Sequence, residues 1–209
     1  MGIFDLSHEI HEGMPVFPGM SQPVFNTPFT VQKHGFQETL LTMLSHTGTH
    51  MDAPAHMLPG GKSLELFSVA SFAGKAWVLN AQGTGEITPT ILQKNRDQIE
   101  NADFLLIYTG WSTYWGQPAY FKEFPVLTRE AAEWLIPMNL KGVGYDVISA
   151  DKHDSTDFPI HHIFFGHNML IIENLTGLEN LLEKEVYFSC MPLKYRSSDG
   201  SPVRAVAWL

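Results

Sequence analysis

The sequence is organised around residues 45 to 56, which read Ser45-His46-Thr47-Gly48-Thr49-His50-Met51-Asp52-Ala53-Pro54-Ala55-His56. Three histidines and one carboxylate stand close together there, among small residues that let the backbone turn tightly. Neutral imidazole binds borderline divalent ions well, and a carboxylate adds negative charge. We therefore predict that His46, His50 and Asp52 are metal ligands. Three protein ligands leave a coordination position open for water, which is typical of a catalytic metal site rather than a structural one.

The same stretch indicates how the ligands are presented. Gly48 and the β-branched Thr47 and Thr49 disfavour a helix, and Pro54 disfavours helical backbone at the residue before it. We predict a strand end that runs into a turn, so that the ligands lie on an irregular, rigid loop. The alternative is that the histidines cap turns or pair with buried backbone, which is the commoner role of a single histidine. The density of four such residues favours the metal site.

Composition places the chain among globular proteins with a sizeable core. It has 209 residues, of which 44% are hydrophobic and 17% charged, and this length predicts one domain over residues 1–209. The formal net charge is −9, with 13 lysines and arginines and no basic run. This balance argues against nucleic acid and against an anionic membrane as partners. We expect a small-molecule substrate instead.

Three features predict a cytoplasmic protein. No apolar run approaches the roughly 18 residues of a membrane span. The first ten residues carry Asp5, His8 and Glu9, where a signal peptide would be basic and then apolar. The single cysteine, Cys190, cannot form an intramolecular disulfide, and its apolar neighbours predict a buried structural thiol.

Strand and helix patterns alternate along the chain, which predicts an α/β fold. The predicted strands cover residues 3–7, 29–33, 36–44, 75–80, 104–109, 142–148, 169–172, 186–192 and 202–209. The predicted helices cover residues 64–72, 88–100, 129–138 and 177–183. Thr88 and Thr128 are the expected N-caps of two of them. The aromatic loop from Trp111 to Trp115 either walls a pocket or packs against the helix that follows.

From His46 to His56 the chain carries, without a gap, the pattern His-x-Gly-Thr-His-x-Asp-x-Pro-x-His. This pattern resembles the signature of the bacterial kynurenine formamidase (arylformamidase) and putative cyclase family of metal-dependent hydrolases. Residues 14–19 and 201–207 are also similar to that family, so the resemblance extends over residues 3–207. It implies a single domain with a barrel-like mixed β-sheet flanked by helices. It also implies a homo-oligomer, either a dimer or a tetramer.

The resemblance implies a second metal position as well. In formamidases a His and a Glu twelve residues apart supply it, and here these are His161 and Glu173, whereas His162 faces elsewhere. A Glu at the end of an apolar strand is costly to bury unless it is paired or ligated. Asp52 has two oxygens and can bridge two ions. The expected cofactor is Zn²⁺ or Mn²⁺, with one or two ions per subunit.

His56 follows the three ligands of the first cluster and is not needed to complete them. We expect it to be the catalytic acid and base, which takes a proton from the attacking water and returns it to the departing nitrogen. The corresponding position has this role in the family. Two alternatives are that His56 is a fourth ligand or that it orients another ligand.

Phe17 is the residue expected to bind the substrate. Relatives commonly have a tryptophan at this position that packs on an aromatic substrate, and Phe17 keeps the aromatic face but lacks the indole N–H. The expected activity is hydrolysis of a carbon–nitrogen amide bond in an aryl formamide such as N-formylkynurenine. The alternatives are opening of a cyclic amide, as in isatin hydrolases, and a non-catalytic metal-stabilised binding module.

Overall fold

The computed structural model describes residues 2–209, and most of its strands form one eight-stranded sheet. In chain order the strands are β1 (Ile3–Asp5), β2 (Val24–Phe29), β3 (Glu38–Thr42), β4 (His50–Asp52), β5 (Ala73–Asn80), β6 (Glu86–Ile87), β7 (Phe104–Tyr108), β8 (Val126–Leu127), β9 (Gly142–Tyr145), β10 (Leu170–Glu173), β11 (Glu185–Pro192) and β12 (Gly200–Trp208). The α-helices are α1 (Val31–His34), α2 (Pro89–Gln93), α3 (Arg96–Glu100), α4 (Arg129–Leu135) and α5 (Pro159–Gly166). Short 3₁₀ helices lie in several of the connections.

Seven strands of this sheet close into a barrel. Their order is β12-β11-β5-β7-β9-β10-β4, and β4 pairs again with β12, which completes the ring. The run β5, β7, β9 and β10 is parallel, whereas the remaining pairs are antiparallel. β1 pairs with the end of β12. This mixed barrel with flanking helices confirms the predicted fold class.

The two faces of a barrel strand build two separate cores. β7 consists of five consecutive apolar residues, all buried, which is typical of a strand covered on both faces. Phe104 and Leu106 point to the barrel interior, where Phe104 contacts Phe188 with ring centroids 5.2 Å apart. Leu105 and Ile107 point outward to the helices. The helices therefore pack on the outside of the barrel.

Helix α4 shows why these segments cover the sheet. Its buried residues are Ala131, Ala132 and Leu135, which form one apolar stripe at helical spacing. Thr128 caps the helix as predicted, because its side-chain oxygen accepts a hydrogen bond from the backbone N–H of Ala131. The apolar stripe joins the outer core together with residues of α5.

Residues 24–42, called the arm below, differ most from the sequence-based expectation. The pattern predicts a strand over 29–33, but β2 ends at Phe29 and residues 31–34 form the single turn α1. Gly35 ends this turn with φ 79°, and its N–H donates to the carbonyl oxygen of Val31. Within residues 2–209, β2 and β3 pair with each other and with no further strand. All five residues of β3 are exposed.

Three predicted helices are shorter in the structure. The range 88–100 is divided into α2 and α3, because the backbone leaves helical geometry at Asn95 with φ −116° and ψ 27°. The range 64–72 contains two 3₁₀ turns separated by extended backbone at Phe67 and Ser68. The range 177–183 contains the single 3₁₀ turn Leu178–Asn180.

The structure also bears on the predicted role of Cys190 and on the predicted lack of a membrane span. Cys190 is buried in the barrel interior, and this burial raises the pKa of its thiol well above the usual range. The thiol is therefore structural, as predicted, and not a nucleophile. Among residues 2–209, no helix is long and apolar enough to cross a membrane.

Candidate metal centre

The predicted ligands lie on the outer face of the barrel, where β4 and β10 pair. Side chains alternate along a strand, and Met51 points into the barrel, so His50 and Asp52 point outward together. Glu173 ends β10 directly opposite His50 in the antiparallel pair. Opposed residues share one face of a sheet. A regular strand therefore presents His50 and Asp52, in place of the irregular loop that the sequence predicts.

Helix α5 brings His161 onto this face. Pro159 is its first residue, and the Asp151 carboxylate accepts from the backbone N–H groups of Ile160 (2.9 Å) and His161 (3.1 Å). The same carboxylate holds the ring of His161, with Nδ1 and Oδ2 2.6 Å apart. His161 is buried whereas His162 is exposed, as the resemblance implies. The sequence pattern did not predict that this segment is helical.

His46 comes from the loop before β4. Gly48 gives this loop a left-handed backbone with φ 65°. The ring of His46 packs against Gly200 at the start of β12, where a β-carbon would lie 2.7 Å from Nε2. Only glycine leaves room for the ring at that distance. Two glycines, far apart in the chain, thus set the position of this side chain.

Three groups of side chains lie close enough together to hold a metal ion; two of them share Asp52, and the third is His46, His56 and Asp199. The outer triad is His46, His50 and Asp52, in which His46 Nδ1 and His50 Nε2 lie 2.6 and 3.1 Å from Asp52 Oδ1. The inner triad is Asp52, His161 and Glu173, in which His161 Nε2 lies 3.8 Å from Asp52 Oδ2 and 3.3 Å from Glu173 Oε1. The structure therefore brings together all five predicted ligands, with one oxygen of Asp52 in each triad.

In each imidazole, the ring nitrogen that points away from the triads faces an acceptor outside them. These acceptors are the Gly48 carbonyl oxygen for His50 (2.9 Å), Asp151 for His161 (2.6 Å) and Asp199 for His46 (3.0 Å). A hydrogen bond at one ring nitrogen fixes the tautomer of the neutral ring, so the lone pair of the other nitrogen faces the cluster once the ring has lost its second proton. All three rings are therefore oriented as ligands require.

The electrostatics of the cluster favour a cation. Burial lowers the pKa of an imidazole, but Asp52 and Asp199 outweigh this and raise the pKa of His46 to about 9. Against the same effect of burial, Asp151 and Glu173 raise the pKa of His161 to about 10. Of the residues that the structure describes, no lysine or arginine lines the site. The oxygen and nitrogen donors therefore fit a divalent metal ion.

His56 lies beside the cluster but outside both triads. It ends the 3₁₀ turn Pro54–His56, and its ring centroid is 3.9 Å from that of His46. Burial, aided by the nearby rings of His46 and His161, lowers the pKa of His56 to about 4 against the attraction of Asp52. A neutral imidazole can accept a proton, which is what a general base requires.

The cluster and His56 line one pocket with a volume of about 460 Å³. Its apolar walls include the predicted Phe17, together with Met20, Met57 and Phe158. Phe158 has φ 43°, a strained backbone for a bulky residue, directly before α5. A pocket of this size and character suits a small aromatic ligand.

The aromatic loop at residues 111–115 packs against neighbouring segments. Trp115 stacks on His8 with ring centroids 3.8 Å apart. Trp111 Nε1 donates to the carbonyl oxygen of Tyr120 at 3.1 Å. Neither tryptophan is among the described residues that line the pocket. Of the two alternatives for this loop, the structure supports packing.

Sequence reasoning missed Asp151 and Asp199, the two carboxylates that hold ligand rings. Both lie in polar stretches, where most acidic side chains face solvent. Asp151 gives no local signal, because it lies eight residues before Pro159 and reaches the first turn of α5 only through the fold. For Asp199 one signal was present in the sequence. Asp199 directly precedes Gly200 and the family-like residues 201–207.

Comparisons with known proteins agree with this fold. The model of the family described as Putative cyclase matches residues 4–152. A kynurenine formamidase of Bacillus cereus is 28% identical, over 97% of this chain and 95% of its own. Isatin hydrolase A from Ralstonia solanacearum has a TM-score of 0.86 at 25% identity, covering 99% of this chain and 91% of its own. A structure described as a potential metal-dependent hydrolase with cyclase activity has a TM-score of 0.83 at 28% identity, covering 99% and 96%.

The family match extends over well more than half of the chain, and the chain therefore belongs to the Putative cyclase family. The relatives align over nearly their whole length, so the likeness is not limited to the histidine motif. The family resemblance that the sequence shows between His46 and His56 is thereby confirmed.

Proposed function

We propose that this protein is a metal-dependent hydrolase of a carbon–nitrogen amide bond, with an aryl formamide such as N-formylkynurenine as the leading substrate. One observation carries the proposal. Five side chains of the types that bind metal ions converge in the two triads, beside an imidazole, His56, that belongs to neither. Two relatives, a kynurenine formamidase and an isatin hydrolase, are named for the hydrolysis of such bonds, which supports the proposal.

The outer triad would hold one metal ion and the inner triad a second, with Asp52 shared between them. Imidazole and carboxylate ligands suit zinc or manganese. A divalent ion at these positions supplies Lewis acidity and lowers the pKa of a water molecule to about 7. The second position is supported by the convergence of Glu173, His161 and the second oxygen of Asp52, which are ligand types that bind divalent ions.

Proton transfer is the part of the chemistry that the chain itself performs, and we assign it to His56. In its neutral form the ring accepts a proton from the attacking water. The resulting imidazolium gives that proton to the nitrogen of the departing amine, which is a poor leaving group without it. Its place on the pocket lining, next to the triads, lets one ring serve both steps.

The pocket walls indicate the class of substrate. Phe17 and Phe158 offer aromatic faces, and the thioethers of Met20 and Met57 offer adaptable apolar surface. We expect the aryl group to lie between these walls and the small formyl group to lie at the polar cluster. The apolar lining therefore supports an aromatic amide over a peptide or a sugar.

A cyclic aromatic amide is the second candidate substrate. The observation that favours it is the likeness to isatin hydrolase A, which extends over 99% of this chain. The same apolar pocket can accept a fused ring, and ring opening uses the same attack of water on an amide carbonyl. In this reaction the nitrogen stays attached to the product.

The assembly that we propose has one domain per chain and more than one chain. β4 and β12 close the barrel although they come from residues near 50 and near 200, which ties the whole chain into one unit.

The arm exposes Val24, Leu40 and Leu41 by half or more. A two-stranded ribbon with exposed apolar side chains is marginal in water, so these residues are proposed to pack on a second copy.

The test is metal analysis of protein purified without chelator, followed by hydrolysis assays on N-formylkynurenine, formanilide, isatin and a dipeptide. We expect one or two bound divalent ions, turnover of the formamides ahead of isatin, and no turnover of the dipeptide. Removal of metal should abolish the activity, and zinc or manganese should restore it. Bound metal without turnover of any amide would instead indicate the non-catalytic binding module.

A further inference from the structure

Asp199 is a carboxylate of the pocket that contacts a predicted ligand ring but belongs to neither the outer nor the inner triad. It directly precedes β12, and its carbonyl oxygen accepts from the backbone N–H of Ala53 at 2.9 Å. The next residue, Gly200, pairs with Asp52 across the closure of the barrel. The backbone thus places Asp199 beside the end of β4, and its side chain lines the pocket.

One oxygen of this carboxylate faces three side chains. Oδ2 lies 3.0 Å from His46 Nε2 and accepts from the Ser45 hydroxyl at 3.3 Å. The same oxygen lies 3.9 Å from Nδ1 of His56. The opposite nitrogen of His46, Nδ1, faces Asp52 at 2.6 Å. Asp199 and the triads therefore lie on opposite edges of the His46 ring.

We propose that Asp199 is a positioning residue for the outer metal position: it holds His46 so that Nδ1 faces the ion. This inference rests on the proposed metal binding by the outer triad. His46 needs such a partner more than the other rings do, because it lies on a loop and 21% of its side chain is exposed. A carboxylate hydrogen-bonded to a ligating imidazole fixes the ring and raises its basicity as a ligand.

The arrangement at His161 supports the same role. Asp151 Oδ2 lies 2.6 Å from Nδ1 of His161, the ring nitrogen that points away from the inner triad. In the same way, Asp199 Oδ2 lies 3.0 Å from Nε2 of His46. Asp151 is buried and also accepts two backbone N–H groups of α5, so its removal would disturb the helix as well. Asp199 is the partner whose role can be tested without that complication.

The loop around Asp199 is held independently of its carboxylate. Glu65 accepts from the backbone N–H groups of Ser197 (2.7 Å) and Ser198 (3.2 Å), and from the Ser198 hydroxyl (3.0 Å). These contacts anchor the segment before β12 from outside the pocket. Glu65→Gln therefore loosens the same loop without removing a group that faces His46, which makes it a matched control.

The experiment measures zinc affinity and stoichiometry of metal-stripped protein by competition with a chromophoric chelator. We expect Asp199→Ala to bind zinc at the outer position about 10- to 100-fold more weakly than wild type, with the same number of equivalents at saturation. Asp199→Asn keeps an acceptor without the charge and should lose less. Glu65→Gln should stay within about threefold of wild type at both positions.

Three results would overturn the inference. Asp199→Ala could bind zinc within about threefold of wild type, so that the carboxylate has no role at the ion. It could lack one equivalent at saturating zinc, in which case Asp199 is itself a ligand. Glu65→Gln could lose as much zinc affinity as Asp199→Ala, which would mean that the loss comes from the loosened loop and not from the missing carboxylate. A wild-type protein that binds no zinc or manganese would overturn the proposed function, and this inference with it.

Discussion

The inner and outer triads contain the same kinds of ligand but are built differently. The inner triad takes its ligands from β4, β10 and α5, and the side chains of His161 and Glu173 are 3% and 6% exposed. The outer triad takes His46 from a loop, with its side chain 21% exposed and facing the pocket. Regular elements hold every ligand of the inner triad, whereas in the outer triad His46 is held by two glycines and a loop carboxylate.

Because of this difference, we expect the two positions to hold their ions with different affinities. Ligands on strands and helices lose little freedom when an ion binds, so we expect the inner position to hold its ion more tightly. The outer position is open to the pocket and lies next to His56. We therefore expect the inner ion to be retained and the outer ion to exchange.

The largest effect is expected from Asp52→Ala, because Asp52 is the one ligand that the triads share. The variant should lose both metal equivalents and all measurable amide hydrolysis. Its thermal stability in the presence of zinc should also fall, since an ion at about 100 times its Kd stabilises the folded state by about 2.7 kcal/mol. Metal analysis and thermal unfolding check this. Asp154→Ala, at an exposed carboxylate, is the control, and an unchanged metal content in Asp52→Ala would refute the ligand assignment.

A smaller effect is expected when one triad is changed alone. His161→Ala should lose the tightly bound equivalent, and His46→Ala the weakly bound one, each keeping the other ion. Stepwise removal of metal with increasing chelator, followed by metal analysis, separates the two classes. Simultaneous loss of both ions in either variant would mean that the centre is cooperative or holds a single ion.

The smallest effect concerns the metal-free protein and its dependence on pH. The neighbouring carboxylates outweigh burial and raise the pKa of His46 to about 9 and of His161 to about 10, from an ordinary value of 6.5. Protonation of these rings therefore stabilises the fold fully below pH 6.5, and this contribution is lost as the pH rises through 9 and 10. The free energy of unfolding of metal-free protein should fall between pH 7 and pH 10.

Urea unfolding at several pH values measures this dependence. The metal-loaded protein should show a flatter profile over the same range, because the bound ion takes the place of the ring protons. Equal stability of the metal-free protein at both ends of the range would show that the carboxylates do not interact with these rings as described.

The outer triad could be predicted from sequence because its three ligands are close together in the chain. The inner triad could not be found by spacing, since His161 and Glu173 meet Asp52 through the pairing of β10 with β4; the family resemblance supplied them. The strand that presents His50 was mistaken for a loop, because Gly48 and Pro54 on either side resemble turn signals. Only three residues between them are in the strand.

The remaining differences arise from tertiary contacts that local patterns do not contain. Asp199 reaches His46 only because β12 closes the barrel against β4. For the arm the sequence predicts strands over 29–33 and 36–44, whereas β2 ends at Phe29 and residues 31–34 form a helical turn that ends at Gly35. The barrel itself follows from alternating strand and helix patterns together with the resemblance, and it is the part predicted best.

Proton transfer by His56 in a metal-assisted hydrolysis can be separated from metal binding with the variant His56→Asn. The variant should keep its full metal content and its fold, while kcat on an unactivated aryl formamide falls by about 10²–10⁴. The loss should shrink for an activated aryl ester, because its leaving group departs without a proton. The account is contradicted if His56→Asn loses the metal, or if its kcat on the unactivated formamide stays within about twofold of wild type.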